Sequence, residues 1–191
     1  MMSFFLIVLL FALIFNVILF IFALIFLFSG LISIIFGAPY VPLSRKYIQK
    51  ILLFGGLSSS DVLYDLGCGD GRVLMLGLSN FNVSRAVGYE ISPWPYFKTL
   101  FLIKHNRLKK IEIFRKNCLK ANIYQATFIY LYLFPGLVDK MAYKIAKEGM
   151  PKTKILCVVF PIDINQHTKF QLLKTEKFEK LTAYLYELKS P

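Results

Sequence analysis

Charge is missing from the first 44 residues, which contain no Lys, Arg, Asp or Glu, although the 191-residue chain has 23 basic and 11 acidic residues. Residues 4–36 form an apolar run that is interrupted only by Asn16, Ser29, Gly30 and Ser33. A helix that crosses the hydrocarbon core of a bilayer needs about 20 apolar residues. The run therefore has room for one membrane-spanning helix, which we expect over about residues 4–28, and not for two spans with a turn.

A basic stretch before this run is also missing, and the run is far longer than the apolar core of about 7–15 residues in a signal peptide. Both features argue against a cleaved signal. Basic residues follow the run instead, at Arg45, Lys46 and Lys50, and the positive-inside rule places them in the cytoplasm. We therefore expect a single-pass anchor in the cell membrane over residues 1–37 and a cytoplasmic domain over residues 38–191.

Cysteine is scarce, with only Cys68, Cys118 and Cys157 in the chain. Their odd number argues against a disulfide framework, and their spacing is not that of metal ligands. We expect a reducing compartment and no metal site.

Strand-like and helix-like segments alternate after the anchor. Strands are predicted at residues 62–66, 86–90, 111–115, 127–133 and 155–160, and helices at 45–54, 72–79, 95–109 and 137–148. Residues 170–174 and 182–188 are predicted to form a closing hairpin, because no helical segment separates them. The pattern predicts an α/β fold, a Rossmann-like, doubly wound, mostly parallel seven-stranded sheet with an antiparallel last strand, preceded by one N-terminal transmembrane helix.

The segment DVLYDLGCGDGRV, residues 61–73, follows this pattern with three glycines directly after the first strand: Gly67, Gly69 and Gly71. In such sheets a ligand binds beyond the carboxyl ends of the strands. A dinucleotide fingerprint has the spacing G-x-G-x-x-G, and a P-loop carries Gly-Lys-Ser/Thr; neither is present. Asp65 and Asp70 would repel a pyrophosphate at this loop, so the ligand is expected to carry positive charge.

S-Adenosylmethionine meets that requirement, because it joins an ammonium and a sulfonium group to an adenosine. We expect Asp65 to bind the ammonium side and Glu90, at the end of the next strand, to accept both ribose hydroxyls. The glycines let the backbone pass close to the cofactor. The alternative is that the two acids only cap helices or face water.

Four segments carry a resemblance to a known family: PYVP at 39–42, DLGCGDGR at 65–72, AVGYEISPW at 86–94 and FRKNCLKANIYQATFIYL at 114–131. In these segments the chain resembles class I S-adenosylmethionine-dependent methyltransferases. More narrowly, it is similar to small archaeal protein-lysine methyltransferases and to the animal enzymes that methylate a lysine of the c-type rotor protein of ATP synthase.

The resemblance implies a role for each matching position. Asp65, Gly67, Gly69 and Gly71 match the cofactor loop, and Glu90 matches the ribose-binding acid. Asn117 matches a position beside the adenine, and Tyr40 matches an aromatic residue in a segment that closes over the cofactor. Ser92 and Leu43 depart from the family pattern, which has Asn and Thr there. The Asp/Asn-Pro-Pro-Tyr motif of enzymes that methylate planar amines or amides is absent, which disfavours adenine or glutamine as acceptor.

An aromatic segment at the end of the fourth strand is the candidate acceptor channel. Alternation along a strand would put Tyr130, Tyr132 and Phe134 on one face, although plain core packing would produce the same pattern. An aromatic, dry channel lowers the pKa of a lysine amine by desolvation, so no strong general base is needed.

Basic residues crowd the segment 104–120, with only Glu112 opposing them. This segment is either a solvated face or a surface that attracts anionic lipid, whereas nucleic acid is the less favoured partner. The leading hypothesis is a membrane-anchored protein-lysine N-methyltransferase that acts on a membrane or membrane-associated protein. The alternatives are a lipid N-methyltransferase of the phosphatidylethanolamine type and a non-catalytic cofactor-binding protein.

Overall fold

The structure is a computed structural model that describes residues 2–35 and 42–190. Its first element, α1, is a helix of 34 residues, Met2–Ile35. The segment Phe4–Phe28 within it has a mean hydropathy of 3.2 and is not buried by the rest of the chain. By length and composition alone, α1 is a candidate membrane span.

Helix α2, Arg45–Phe54, begins and ends at the predicted residues because both ends carry suitable capping residues. The Ser44 hydroxyl accepts a hydrogen bond from the backbone N–H of Tyr47 at 3.4 Å, and the N–H of Gly55 bonds back to the last turn. Serine is among the preferred N-cap residues, since its side chain satisfies a backbone donor that has no partner within the helix. The buried face of α2 consists of Ile48, Ile51 and Leu52.

The domain is built on one seven-stranded sheet in the order β3-β2-β1-β4-β5-β7-β6. Its strands are β1 Val62–Leu66, β2 Arg85–Tyr89, β3 Ile111–Phe114, β4 Phe128–Leu131, β5 Lys154–Val158, β6 Phe170–Phe178 and β7 Leu181–Leu188. The remaining helices are α3 Arg72–Phe81, α4 Pro93–His105 and α5 Pro135–Glu148. Strands β1 to β5 pair in parallel, and β7 runs antiparallel to both β5 and β6. This arrangement confirms the predicted fold class.

Two strands differ in length from the prediction. Strand β4 ends at Leu131 rather than at residue 133, because Phe134 caps α5 in an extended conformation and Pro135 begins that helix. Proline has no N–H and disfavours a helical residue before it, so the chain leaves the sheet there. Strand β6 reaches Phe178 rather than residue 174. As the edge strand it is mostly exposed and polar, so its sequence lacks the apolar alternation on which the prediction depended.

Buried side chains form two clusters on opposite faces of the sheet. Leu63 belongs to the cluster that includes Ile51 of α2 and Leu74 of α3, whereas its neighbour Tyr64 belongs to the one that includes Met141 of α5. Successive residues of a strand point to opposite faces, which explains why the two neighbours separate. Strand β1 lies between β2 and β4, where the strand order reverses, and a ligand crevice forms at that position in such sheets.

Candidate cofactor and active site

The loop between β1 and α3 folds back over the end of β2. The backbone N–H groups of Gly67 and Cys68 both donate to the carbonyl oxygen of Tyr89, at 2.9 and 3.0 Å. Gly71 caps α3 with φ +71°, and a Cβ at that position would overlap the methyl group of Thr99. Only glycine adopts this conformation without strain while leaving room for Thr99.

Glu90 follows β2 directly and is held by backbone groups on both sides. Its Oε2 accepts a hydrogen bond from the N–H of Gly69 at 2.9 Å, and its Oε1 accepts one from the N–H of Ser92 at 2.7 Å. The side chain is buried and borders the cleft. Each carboxylate oxygen retains a lone pair, so the group is fixed in position and can accept two further hydrogen bonds.

Asp65, near the end of β1, is a buried carboxyl group with 3% of its surface exposed. Within residues 2–35 and 42–190, no group donates a hydrogen bond to it. Burial raises its pKa well above the ordinary value, and the carboxylates of Glu90 and Asp70 raise it further. A buried acid without a donor is energetically unfavourable when charged, and a cationic ligand at this position would remove the penalty.

Tyr130 of β4 is paired with Asp65 across the sheet, so both side chains point to the same face. The Tyr130 hydroxyl is buried and has no hydrogen-bond partner among the described residues. Burial raises its pKa, and the nearby Asp65 raises it further. Buried polar groups in native proteins are almost always hydrogen-bonded, so this hydroxyl and the Asp65 carboxyl both lack a partner that a bound polar ligand can supply.

Asp70 plays a different part from the one its sequence position suggests. It forms a two-point ion pair with Arg72, with N–O distances of 2.8 and 2.7 Å, and it contacts the ammonium group of Lys98 at 3.1 Å. Arg72 also donates to the carbonyl oxygen of Leu43, which ties the segment before α2 to the glycine loop. Because two cations compensate Asp70, the negative charge available to a ligand comes from Asp65 and Glu90.

The cleft brings together most of the predicted residues, and its walls include Gly67, Gly69, Glu90, Asn117, Tyr130 and Tyr132. Asp65 and Gly71 support this surface without being among the residues that line it. The Asn117 side chain accepts a hydrogen bond from the N–H of Leu119 at 2.9 Å and caps the short 3₁₀ turn Cys118–Lys120. Tyr40 lies outside the described residues.

Phe134 is the predicted acceptor-channel residue that is not among the cleft-lining residues described. Its ring packs against Phe160, with centroids 6.0 Å apart. The predicted alternation does not reach it, because β4 ends three residues earlier. Leu133 and Leu137 line the cleft together with the half-buried ring of Tyr132, and burial raises the pKa of the Tyr132 hydroxyl.

Three residues that support the site were given no role by the sequence reasoning: Arg72, Lys98 and Thr99. The hydroxyl of Thr99 lies 2.9 Å from the carbonyl oxygen of Gly69 and fastens α4 to the glycine loop. Arg72 stands inside the motif GDGR and could have been singled out there. Nothing in the local sequence points to Lys98 or Thr99, because their contacts with the loop span about 30 positions of the chain.

A family model of the ANTKMT methyltransferase domain matches residues 65–169, more than half of the chain. The chain belongs to this methyltransferase family. A protein-lysine N-methyltransferase from Saccharolobus islandicus is 31% identical over 150 residues, which cover 78% of this chain and 92% of that protein. A lysine N-methyltransferase of Xenopus laevis, named for the C-type rotor protein of ATP synthase, is 22% identical over 64% of this chain, and the chain spans 54% of that relative.

Among solved structures, an RNA methyltransferase from Salinibacter ruber in complex with S-adenosyl-L-homocysteine aligns with a TM-score of 0.71 and 26% identity. The alignment covers 79% of this chain and 95% of that one. The cofactor of this family member is S-adenosylmethionine. The cleft suits that cofactor, since the fixed Glu90 carboxylate faces it and the unpartnered Asp65 and Tyr130 groups lie side by side at its edge.

Proposed function

We propose that this chain is a membrane-anchored protein-lysine N-methyltransferase whose substrate is a membrane or membrane-associated protein. The observation that carries the proposal is the pairing of Glu90, held by two backbone donors, with Asp65, a buried acid that lacks one. The archaeal relative, a protein-lysine N-methyltransferase similar over most of its length, supports lysine as the acceptor.

The two acids bind opposite ends of the cofactor in this proposal. Asp65 accepts hydrogen bonds from the ammonium group, and Glu90 accepts them from the ribose hydroxyls, while Asn117 lies on the adenine side of the cleft. When bound, S-adenosylmethionine supplies a methyl group on a sulfonium that an amine can attack in line. Most of the rate enhancement then comes from positioning the two reactants.

Tyr130 and Tyr132 form the acceptor side of the cleft with Leu133 and Leu137. A lysine amine attacks only when neutral, and its reference pKa is about 10.4. This apolar wall excludes water and lowers the pKa of an entering lysine by desolvation. The aromatic faces attract the methylammonium group that is produced.

Replacing Tyr132 with Ala tests the acceptor wall. We expect methyl transfer to fall by about tenfold or more, because the lysine loses its positioning, while the Kd for S-adenosylhomocysteine changes by less than about twofold. Tyr143→Ala is the matched control, since Tyr143 is an exposed tyrosine on α5. An unchanged transfer rate in Tyr132→Ala would remove Tyr132 from the acceptor site.

The acceptor class is tested by incubating the full-length protein, reconstituted in vesicles, with labelled S-adenosylmethionine and membranes from the source cells. We expect the label on lysine side chains of a membrane protein, identified by mass spectrometry. Label in phosphatidylethanolamine would favour the lipid N-methyltransferase. Label in RNA would favour an activity like that of the Salinibacter ruber enzyme, and binding without transfer to any acceptor would favour a non-catalytic cofactor-binding protein.

Membrane anchoring is tested separately by extracting vesicles that contain the full chain with alkaline carbonate. A spanning α1 stays with the lipid, because its 25-residue segment Phe4–Phe28 carries no charge. Release of the protein into the supernatant would refute the anchor and leave the methyltransferase activity untouched. Protease accessibility in sealed vesicles then assigns the side of the domain, for which the positive-inside rule predicts the cytoplasm.

A further inference from the structure

Helix α4 presents an aromatic face to solvent. Trp94, Phe97 and Phe101 are 37%, 53% and 65% exposed. Their spacing of three and four residues puts them on one side of the helix. Exposed apolar patches of this kind mark protein or membrane interaction sites, so the face calls for a partner.

The candidate membrane span touches this face. The ring of Phe22 in α1 packs edge-on against Trp94, with centroids 5.6 Å apart. Phe22 lies six residues before Phe28, the end of the candidate span, which corresponds to about 9 Å along the helix axis. Amphipathic helices in the membrane interface bury their apolar face about 5–10 Å deep. The contact therefore places α4 at the depth of an interfacial helix.

Basic side chains surround the aromatic face. Lys98 and Lys104 lie on its two flanks, and the guanidinium carbon of Arg115 lies 5.9 Å from the centre of the Phe97 ring. The turn after α4 adds exposed basic residues at positions 107, 109 and 110. Aromatic residues bordered by Lys and Arg are typical of helices that lie on anionic bilayers, because the rings enter the acyl boundary while the cations contact headgroups.

The opposite side of α4 belongs to the active site. Thr99 is fully buried against the carbonyl oxygen of Gly69, and the Lys98 ammonium contacts Asp70 of the glycine loop. Lys116, next to Arg115 in the chain, lines the cleft. One helix therefore joins the aromatic face to the cofactor loop, and an edge of the cleft adjoins that face.

We infer that α4 lies in the interface of an anionic lipid bilayer, with Trp94, Phe97 and Phe101 inserted between headgroups and upper acyl chains. This position holds the cleft at the membrane surface, where it would reach lysines close to the headgroups of a membrane protein. The inference deepens the proposed function and rests on it for the orientation of α1.

Trp94 is the only tryptophan in the chain, so its fluorescence reports on α4 alone. The full-length protein is reconstituted in vesicles of phosphatidylcholine and phosphatidylglycerol, and lipids brominated either near the headgroup or deep in the acyl chain serve as quenchers. We expect the shallow bromine to quench Trp94 more strongly than the deep one, and aqueous acrylamide to quench it weakly. Strong acrylamide quenching without quenching by either brominated lipid would overturn the inference.

The double substitution Phe97→Gln and Phe101→Gln tests the face itself. We expect the Trp94 emission to shift to longer wavelength, with weaker quenching by brominated lipid, because the helix loses the groups that insert. Tyr143→Gln, at an exposed tyrosine of α5, is expected to leave both readouts unchanged. If the double variant keeps wild-type quenching, α1 alone sets the position of Trp94 and the aromatic face does not bind lipid.

These readouts are independent of the anchor and of the activity. Carbonate extraction reports on α1, and S-adenosylhomocysteine binding reports on whether each variant is folded. A protein that carbonate releases but whose Trp94 is quenched by shallow bromine would support the interfacial helix while refuting the anchor. A carbonate-resistant protein whose Trp94 is not quenched by lipid would do the reverse.

Discussion

Replacing Glu90 with Gln changes one atom at the centre of the site. Both carboxylate oxygens accept backbone hydrogen bonds, from Gly69 at 2.9 Å and from Ser92 at 2.7 Å. A glutamine amide has a single acceptor oxygen, so one of these N–H groups must face an NH₂ group. The substitution also removes one of the two acceptors proposed for the ribose hydroxyls.

The size of the effect follows from these lost contacts. A buried N–H left without an acceptor lowers the free energy of unfolding by about 1–3 kcal/mol. A hydrogen bond from a ribose hydroxyl to a charged acceptor contributes about 1.5–3 kcal/mol. The Kd for S-adenosylmethionine should therefore rise by about 10- to 150-fold, since each 1.4 kcal/mol is about a factor of ten.

The assay pairs calorimetric titration of the cofactor with urea unfolding of the same samples. Glu112→Gln is the matched control, because Glu112 forms an exposed ion pair with Arg85. Such pairs contribute at most about 1 kcal/mol to stability, and Glu112 is not among the described cleft-lining residues. A Glu90→Gln protein that loses stability but binds the cofactor as tightly as the wild type would refute the ribose assignment and leave Glu90 a purely structural role.

The remaining predictions concern the charge and geometry of the same loop. Asp65→Asn should weaken binding of S-adenosylmethionine by about tenfold or more, since a charged hydrogen bond to the ammonium is lost, but should barely affect methylthioadenosine, which has a ribose and no ammonium; equal losses for both ligands would contradict the ammonium assignment. Because burial raises the pKa of Asp65 in the free protein and an ammonium favours the charged form, cofactor affinity should rise with pH above 3.8 until the free-protein pKa is passed. Proton release, measured by calorimetry in two buffers, should accompany binding in that pH range and disappear in Asp65→Asn. In the absence of cofactor the same raised pKa means that stability falls as pH rises through that window, because the folded state holds the proton that the unfolded chain has released. Gly71→Ala should lower the free energy of unfolding by about 1–3 kcal/mol, and adding Thr99→Ser, which removes the overlapping methyl group, should restore part of it; no recovery would show that the left-handed backbone is the whole cause.

Local signals in the sequence were sufficient for most of the fold. The bounds of α2 follow from Ser44 and Gly55 at its ends, and those of β1 follow from an apolar run that stops at the glycine loop. Strand β6 was predicted too short because an exposed edge strand needs no apolar alternation. The end of β4 was misplaced because apolar residues continue past it, and Pro135 rather than polarity ends the strand.

The site was predictable to the extent that topology brings strand ends together. Asp65 and Glu90 end neighbouring parallel strands, so their convergence at the cleft follows from strand order. The neutralisation of Asp70 by Lys98 was not foreseeable, because it depends on α4 packing against the loop. Phe134 shows the same limit, since its direction depends on where the chain leaves the sheet.

By itself, the sequence determined the candidate span, the alternation of strands and helices, and the chemistry of a loop that favours a cationic, adenosine-containing cofactor. These depend on hydrophobic periodicity, capping and residue type, which are local properties. Only the tertiary structure decided that Glu90 is fixed by two backbone donors, that Asp65 and Tyr130 lack partners, and that α4 turns three aromatic rings outward beside α1. Those facts depend on which groups meet across long stretches of chain, and burial acts on a side chain only once its neighbours are in place.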